Sequence, residues 1–372
     1  MNHVIVCLIT ATLLTLSTLS HAQINMGMVG DSLTDDYLGG PALTNNNLAA
    51  GSWGQILAHS RGSDFNFGGY KSVADGTWDN SIRYSGYEYN YATSGGVASD
   101  NTMNTIAGLG VQIPVTAFGA SYLSAQTAGL AQEISAGNVS TAYVGIGSND
   151  FFFRTNMFDT SGNTYPNPDG VIDQAFIDDV ASSILAGVDT LLAAGDVDLL
   201  LGLLPAGTAG GSNADILAGI TAVNQQLIDG ALARGVAIVD LWSWTLDANR
   251  VDQATGTVTV GGLEIALNTA ATNADISLIG DGAFCNTAGE CALDSHALNY
   301  AAEDGLHPNT IIQGLLANEM IAALNDNYGH NITQLSDQEI LSLAGVSAVP
   351  VPAAMWLFTS ALLGLVGLKR RN

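Results

Sequence analysis

The sequence is poor in charge, and above all in positive charge. Only 12% of its 372 residues are charged, and 9 Lys and Arg face 34 Asp and Glu, for a net charge of −25. A surface of that sign repels phosphate backbones and anionic lipid headgroups, so we expect no nucleic-acid partner. Hydrophobic residues make up 47% of the chain, which is enough for a folded core and too many for a disordered acidic tail.

Cysteine is also scarce, which narrows the choice between a disulfide and a metal site. Of the 3 cysteines, Cys7 lies in the apolar N-terminal stretch, and Cys285 and Cys291 remain in the body. We expect these two to form a disulfide, in keeping with an exported protein. A zinc site is the alternative, but it needs further Cys or well-spaced His residues. We therefore expect neither a metal nor a cofactor.

The first 22 residues have the pattern of a secretory signal peptide. An apolar stretch from Val4 to Leu19 ends in Ser20-His21-Ala22, a small-x-small cleavage site for signal peptidase. Cleavage there would make Gln23 the first residue of the mature protein. A buried first helix is the alternative, but a second apolar run, Ile24 to Val29, follows directly and is typical of a strand.

Residues 349–372 have the pattern of a sorting or membrane segment. Val349-Pro350-Val351-Pro352 precedes the uncharged run Ala353 to Leu368, and Lys369-Arg370-Arg371 ends it. As a helix, that run would span ~24 Å against a hydrocarbon core of ~30 Å, which is short for an anchor.

This segment resembles the PEP-CTERM sorting signals of the Val-Pro-Leu-Pro-Ala variant, although Val351 stands where the namesake motif has glutamate. The resemblance implies an exosortase as partner, removal of the tail, and transient membrane association before removal. A plain single-span anchor is the alternative. Both interpretations place the body outside the inner membrane of a bacterium, at the cell surface, in the extracellular matrix or secreted.

Between these two segments, strand and helix patterns alternate along the chain. Short aliphatic runs predict strands buried on both faces at Ile24 to Val29, Glu88 to Ala92, Thr141 to Ile146, Leu199 to Leu204 and Val236 to Leu241. Helical patterns lie at Trp53 to His59, Tyr122 to Ala136, Ala175 to Ala194, Asp215 to Arg234 and Thr310 to Asn325. This order predicts one α/β domain over residues 23–330, a three-layer α/β/α sandwich with a central, mainly parallel sheet and loop insertions. Residues 331–348 would then be a linker to the sorting segment.

The first predicted strand ends in Gly30-Asp31-Ser32-Leu33. A serine at the carboxyl tip of a strand, after a glycine that permits a sharp turn, can present its hydroxyl to the crevice above the sheet. The tetrapeptide resembles the first block of the SGNH/GDSL hydrolase family. Three further blocks follow in the family's order: Asn90 to Gly96, Gly147 to Asp150, and Asp304 to Pro308. The resemblance runs from residue 24 to about residue 325 and implies the flavodoxin-like sandwich of that family.

The resemblance implies a role for five residues. Ser32 would be the nucleophile, His307 the general base that takes its proton, and Asp304 the carboxylate that orients the imidazole. When Ser32 attacks an acyl carbon, negative charge develops on the acyl oxygen. The backbone N–H groups of Ser32 and Gly95 and the side-chain amide of Asn149 would form the oxyanion hole that receives it.

The general base and its orienting group each have a competing candidate. His296 also has a carboxylate nearby, Asp294, but the spacing differs and no helix start follows it. A backbone carbonyl could orient the imidazole of His307 in place of Asp304.

The oxyanion residues have competing interpretations as well. Gly96 lies beside Gly95 and is an alternative donor, while Asn149 could be no more than a helix cap. We expect Asp31 and Asp150, each next to a candidate site residue, to brace the loops.

Together, these features predict a secreted serine acyl-hydrolase that cleaves carboxylic esters through an acyl-enzyme. Short-chain esters and acyl groups on carbohydrates are favoured, because the family includes carbohydrate acetylesterases and the sorting signal is associated with bacteria that export exopolysaccharide. A lipase or phospholipase of the same family is one alternative, and a catalytically inactive surface- or matrix-binding protein is another. Calcium binding is a third, but Asp159 to Asn163 lacks the glycine and terminal glutamate of an EF-hand loop.

Overall fold

The computed structural model of the chain describes residues 23–36, 51–72, 82–83, 85–106, 111–118, 120–155, 171–205, 214–241, 250–252, 254–267 and 307–344. The expected signal peptide and sorting segment lie outside these residues. So do Asp304, the cysteine pair Cys285 and Cys291, and the competing His296.

The described chain alternates short strands with longer helices. In chain order the strands are β1 (Ile24–Gly30), β2 (Phe65–Asn66), β3 (Tyr70–Ser72), β4 (Ser85–Tyr87), β5 (Met103–Ile106), β6 (Val111–Pro114), β7 (Thr141–Gly145), β8 (Asp198–Gly202), β9 (Ala237–Val239), β10 (Val251–Asp252), β11 (Thr257–Val260) and β12 (Leu263–Ala266). The helices are α1 (Trp53–Ser60), α2 (Leu123–Ser135), α3 (Ser148–Thr155), α4 (Gln174–Ala194), α5 (Ala214–Arg234), α6 (Thr310–Tyr328) and α7 (Asp337–Leu343). In the part of the chain that the structure describes, none of these helices is long and apolar enough to cross a membrane.

A five-stranded parallel sheet, in the order β2-β1-β7-β8-β9, forms the middle layer. Successive residues of β1 point to opposite faces of this sheet. Met26 and Met28 pack with α1 and α6 on one face, while Val29 packs with α2, α4 and α5 on the other. The three-layer α/β/α sandwich predicted from the sequence is thereby confirmed.

The edge of the sheet beside β1 is built from two separate pieces of chain. β2 pairs with the start of β1, and the chain then leaves for the antiparallel hairpin of β3 and β4. It returns at Tyr89, whose carbonyl accepts the N–H of Met28, and Tyr91, whose N–H donates to the Met28 carbonyl. The predicted strand from Glu88 to Ala92 is therefore wrong as a regular strand, because the inserted hairpin leaves only a bridge at Asn90.

Residues 331–344 pack onto the domain, whereas the sequence analysis expected a linker from residue 331. Ile340 and Leu341 of α7 are completely buried against the face that α6 covers. Arg61, at the end of α1, donates to the carbonyls of Thr333 and Gln334 and pairs with Glu339 at 3.0 Å. That pairing holds the pKa of Glu339 at about 2. The folded domain thus extends to Ala344, because these apolar side chains complete the core beside α6.

Candidate active site

Ser32 lies in a tight turn directly after β1, at the carboxyl edge of the sheet. The backbone carbonyl of Asp31 accepts hydrogen bonds from the N–H groups of Thr34 and Asp35, at 3.0 and 2.9 Å. The side-chain carboxylate of Asp31 accepts a hydrogen bond from the N–H of Leu33 at 3.0 Å. The N–H of Ser32 itself has no acceptor among the described residues. Among the described residues, the turn therefore leaves one backbone donor without an acceptor beside a half-buried serine hydroxyl.

Gly30 makes the close packing beneath this turn feasible. A Cβ atom at Gly30 would lie 2.6 Å from the carbonyl oxygen of Gly145 and 2.8 Å from the side chain of Thr34. Both distances are shorter than real Cβ contacts, so only glycine fits between β7 and the serine turn.

A second turn, Thr93 to Gly96, lies against the first. The N–H of Thr93 donates to the Gly30 carbonyl at 3.2 Å, and the N–H of Gly96 donates to the Thr93 carbonyl at 2.8 Å. Gly95 has a φ of +75°, a backbone conformation that favours glycine. Its N–H has no acceptor in the described part of the chain, whereas that of Gly96 is already used. Of the two candidate donors, Gly95 is thus the one whose N–H has no acceptor among the residues that the structure describes.

Asn149 joins this turn to the third motif. It lies in the first turn of α3, directly after β7, and it is buried. Its side-chain nitrogen donates to the Gly96 carbonyl at 3.0 Å, which leaves a second amide hydrogen. The side chain is therefore directed toward the glycine turn and bonds outside its own helix.

Asp150, the next residue, braces the loop that follows Gly96. Its carboxylate accepts the N–H groups of Ala98 and Ser99, at 2.8 and 3.1 Å, and the hydroxyl of Thr102 at 2.5 Å. Complete burial raises the pKa of Asp150 to about 6, and these three hydrogen bonds act in the opposite direction. This contact pattern agrees with the structural role expected for Asp150.

His307 is buried at the start of α6. Pro308 follows it, and the side chain of Asn309 caps the helix by accepting the N–H of Ile312 at 2.9 Å. Burial raises the pKa of Asp31 to about 6, while the Leu33 N–H and the charge of His307 act to lower it. Leu316 of α6 lines a small cavity together with Asp31 and Thr34, so the helix that begins after His307 packs beside the turn that carries Ser32.

Two cavities adjoin the motifs. One, of about 20 Å³ and lined in part by Asp31, Thr34 and Tyr143, has room for about one water molecule below the serine turn. The other has a volume of about 290 Å³ and lies beside α3 and the start of α4. Its lining is mostly polar: Asn101, Thr102, Met103, Gln112, Asp150, Arg154, Asp173, Ala175, Phe176 and Asp179. Within the described ranges, no three His, Cys, Asp or Glu side chains are grouped to bind a metal.

Gln126 of α2 is a residue of the site that the sequence analysis missed. Its side-chain oxygen accepts the Gly30 N–H at 2.7 Å, and its nitrogen donates to the Gly30 carbonyl at 2.9 Å. The available signal was its position between Leu123 and Leu130 on the buried face of the helix. A glutamine on the buried face of a helix needs hydrogen-bond partners.

The structure thus brings four of the predicted site residues, Ser32, Gly95, Asn149 and His307, to one edge of the sheet. Asp304 lies outside the described residues, and its role stays a prediction.

No family model and no curated protein sequence matches the chain. Among solved structures, the chain is similar to a member of the lipolytic G-D-S-L family from Veillonella parvula, with 12% identity over 80% of this chain and 97% of that one and a TM-score of 0.36. It is also similar to an acetylxylan esterase from Geobacillus stearothermophilus, with 10% identity over 81% and 94% of the chains and a TM-score of 0.40. A third is a putative acylhydrolase from Bacteroides fragilis, with 12% identity over 81% and 86% and a TM-score of 0.37.

Proposed function

We propose that the protein is a serine hydrolase of carboxylic esters, with Ser32 as nucleophile. One observation carries this proposal: the backbone N–H groups of Ser32 and Gly95 have no acceptor among the described residues, and both belong to turns that pack on Gly30. Asn149, bonded to the same glycine turn, has an amide hydrogen to add. Such donors stabilise the oxyanion of acyl transfer because they are positioned before charge develops.

His307 is the proposed general base. In the first half-reaction it takes the proton of Ser32 as the hydroxyl oxygen bonds to the acyl carbon, and it then protonates the departing alcohol. In the second, it takes a proton from the water that attacks the acyl-enzyme, and it returns that proton to the Ser32 oxygen as the bond to the acyl carbon breaks and the acid leaves. Asp304 orients the imidazole in this proposal, and neither step uses a metal or a cofactor.

The polar cavity beside α3 supports a polar alcohol in the substrate. It adjoins Asp150, the neighbour of Asn149, and offers carboxylates, two amides and the guanidinium of Arg154 near the ring of Phe176. Hydroxyl-rich sugars match such a lining better than a long acyl chain does. We therefore favour short acyl esters of carbohydrates over lipids, and export of the protein would bring it to such polymers outside the cell.

The test compares wild type with Ser32→Ala on p-nitrophenyl esters of rising acyl length and on acetylated polysaccharides. We expect hydrolysis that is greatest for short chains and falls by at least ~10³-fold in the variant. Ser63→Ala, at an exposed position remote from the motifs, is the matched control and should keep full activity. Greatest activity on long chains would favour the lipase alternative. A folded wild type without Ser32-dependent release from any substrate would contradict the proposal and favour a surface-binding protein.

A further inference from the structure

A buried ion-pair cluster lies beside the proposed oxyanion hole, and the mechanism above does not use it. Arg83 pairs with Asp35 at 2.6 Å and with Asp36 at 2.9 Å. The three side chains are at most 10% exposed, so these contacts are shielded from water. The guanidinium also donates to the Asn90 carbonyl at 2.8 Å. The cluster therefore ties the end of the serine turn to the chain that leads into the glycine turn.

Asp35 makes a contact that its neighbour does not make. While one carboxylate oxygen faces Arg83, the other accepts the backbone N–H of Ser94 at 2.8 Å and its hydroxyl at 3.1 Å. Ser94 directly precedes Gly95, whose N–H belongs to the planar peptide group that joins the two residues. Holding the N–H and the hydroxyl of Ser94 therefore limits the movement of the Gly95 N–H that we assign to the oxyanion hole.

Asp36 performs a different task from the same cluster. Its carboxylate accepts the N–H of Tyr87 at 3.0 Å in addition to Arg83, and these contacts lie on the side of the β3–β4 hairpin. No contact between Asp36 and residues 93–96 is present in the described structure. The two neighbouring aspartates thus share Arg83 and burial, but only Asp35 reaches the glycine turn.

We propose that Asp35, oriented by Arg83, is a positioning residue that holds the Gly95 N–H in place for the oxyanion. This inference rests on the proposed hydrolase function. An aspartate with both oxygens occupied by donors has a single preferred orientation, since one guanidinium nitrogen of Arg83 fixes one oxygen and Ser94 fixes the other. The arrangement also couples the nucleophile and an oxyanion donor through one side chain, because Asp35 ends the turn that carries Ser32.

The experiment compares Asp35→Asn with Asp36→Asn in the full chain. Each asparagine removes one negative charge from the ion pair with Arg83, and only the one at position 35 also loses a set of donors, because both donors to Asp36 meet a single oxygen. The melting temperature of each variant is measured beside its activity. We expect Asp35→Asn to lower kcat by ~10- to 100-fold with KM within ~3-fold, because only the transition state uses the oxyanion donors. Asp36→Asn should keep kcat within ~3-fold of wild type.

Inhibition by a boronic acid separates a loss of oxyanion binding from a loss of folded protein, because an inhibition constant does not depend on the amount of active enzyme. Boronic acids form tetrahedral adducts on a serine hydroxyl and so mimic the oxyanion. The inhibition constant should rise for Asp35→Asn in proportion to the fall in kcat/KM, while it stays near the wild-type value for Asp36→Asn.

Each outcome bears on a separate claim. An active wild type with equal kcat in the two asparagine variants overturns the positioning role and leaves the proposed function standing. A wild type without Ser32-dependent hydrolysis overturns the proposed function and this inference with it. If Asp35→Asn does not fold, Ser94→Ala is the variant that tests the proposal. It removes only the hydrogen bond from the exposed Ser94 hydroxyl to Asp35 and keeps the one from the Ser94 N–H. We expect it to lower kcat by ~2- to 5-fold at constant KM, and an unchanged kcat overturns the inference.

Discussion

The side-chain amide of Gln126 satisfies both backbone polar groups of Gly30, 96 residues away in the sequence. The short strand β2 pairs only with the start of β1. At the other end of β1, the Gln126 amide takes the place of the backbone of a neighbouring strand. Its nitrogen also donates to the Ser121 hydroxyl, which lies 2.8 Å from that of Thr93. One buried side chain thus connects the strand that leads to Ser32 with the turn that carries Gly95.

Replacing Gln126 by alanine should therefore destabilise the protein strongly. The change leaves the buried N–H of Gly30 without an acceptor and opens a space beneath the serine turn. Each effect costs on the order of 1–3 kcal/mol, so we expect the free energy of unfolding to fall by about 3 kcal/mol in urea titrations. Gln132→Ala, on the exposed side of the same helix, should change it by less than about 0.5 kcal/mol. Equal effects of the two changes would refute the structural role of Gln126.

The two glycines of the Gly95–Gly96 turn should respond differently to alanine. A Cβ at Gly96 would lie 2.8 Å from the Gly30 carbonyl oxygen and 2.9 Å from that of Thr93, and backbone atoms cannot easily move away. A Cβ at Gly95 would meet only the Cβ of Ala120, at 3.3 Å, although its φ of +75° adds strain of about 1 kcal/mol.

We therefore expect Gly96→Ala to lower the free energy of unfolding by about 3 kcal/mol and Gly95→Ala by about 1 kcal/mol. Chemical denaturation of both variants beside wild type measures the difference. The reverse order would mean that Gly95, and not Gly96, is the closely packed glycine.

The packing of residues 331–344 predicts stability effects that a linker would not show. Ile340 is completely buried against Gly314 of α6, so its truncation should leave a cavity. We expect Ile340→Ala to lower the free energy of unfolding by about 3 kcal/mol, and Ser342→Ala, an exposed neighbour on α7, to have almost no effect. The melting temperatures of the two variants suffice for the comparison. If both variants melt at the wild-type temperature, residues 331–344 do not stabilise the domain and act as a linker.

The alternating strands and helices of this fold could mostly be predicted from the sequence, and several of the short strands could not. The apolar run at Thr141 and the helical pattern that ends at Ala194 match β7 and α4 within two residues, because burial on repeated positions leaves a clear periodicity. The two-residue strand Phe65–Asn66 has no periodicity, and its pairing depends on a hairpin inserted after it.

The same distinction applies to the candidate site. Ser32 and Asn149 stand in short local motifs that a sequence displays directly. Arg83 forms its contacts across 47 and 48 residues, which no local pattern reveals. The one signal in the sequence was the scarcity of cations. With 9 basic residues against 34 acidic ones, an arginine in a loop has many carboxylates with which it can form an ion pair.

Asp31 predicts a pH dependence of stability that can be isolated by one substitution. Burial raises the pKa of Asp31 from 3.8 to about 6 in the folded protein. Because the folded state holds this proton more tightly than the unfolded chain does, the associated stability is fully present below pH ~3.8 and is lost as the pH rises through ~6. Ionisation of the buried carboxyl at higher pH therefore works against folding.

Asp31→Asn removes this proton and keeps an oxygen that can accept the Leu33 N–H. A pKa difference of about 2 corresponds to about 3 kcal/mol, so the unfolding free energy of the variant, relative to wild type, should rise by about 2–3 kcal/mol between pH 4 and pH 8. Urea titrations at several pH values give this difference, and the other carboxylates cancel because both proteins contain them. Two parallel curves over this range would show that Asp31 titrates in the folded protein as it does in the unfolded chain. A fall in the relative stability of the variant between pH 4 and pH 8 would mean that the folded protein stabilises the ionised carboxylate, opposite to the effect of burial.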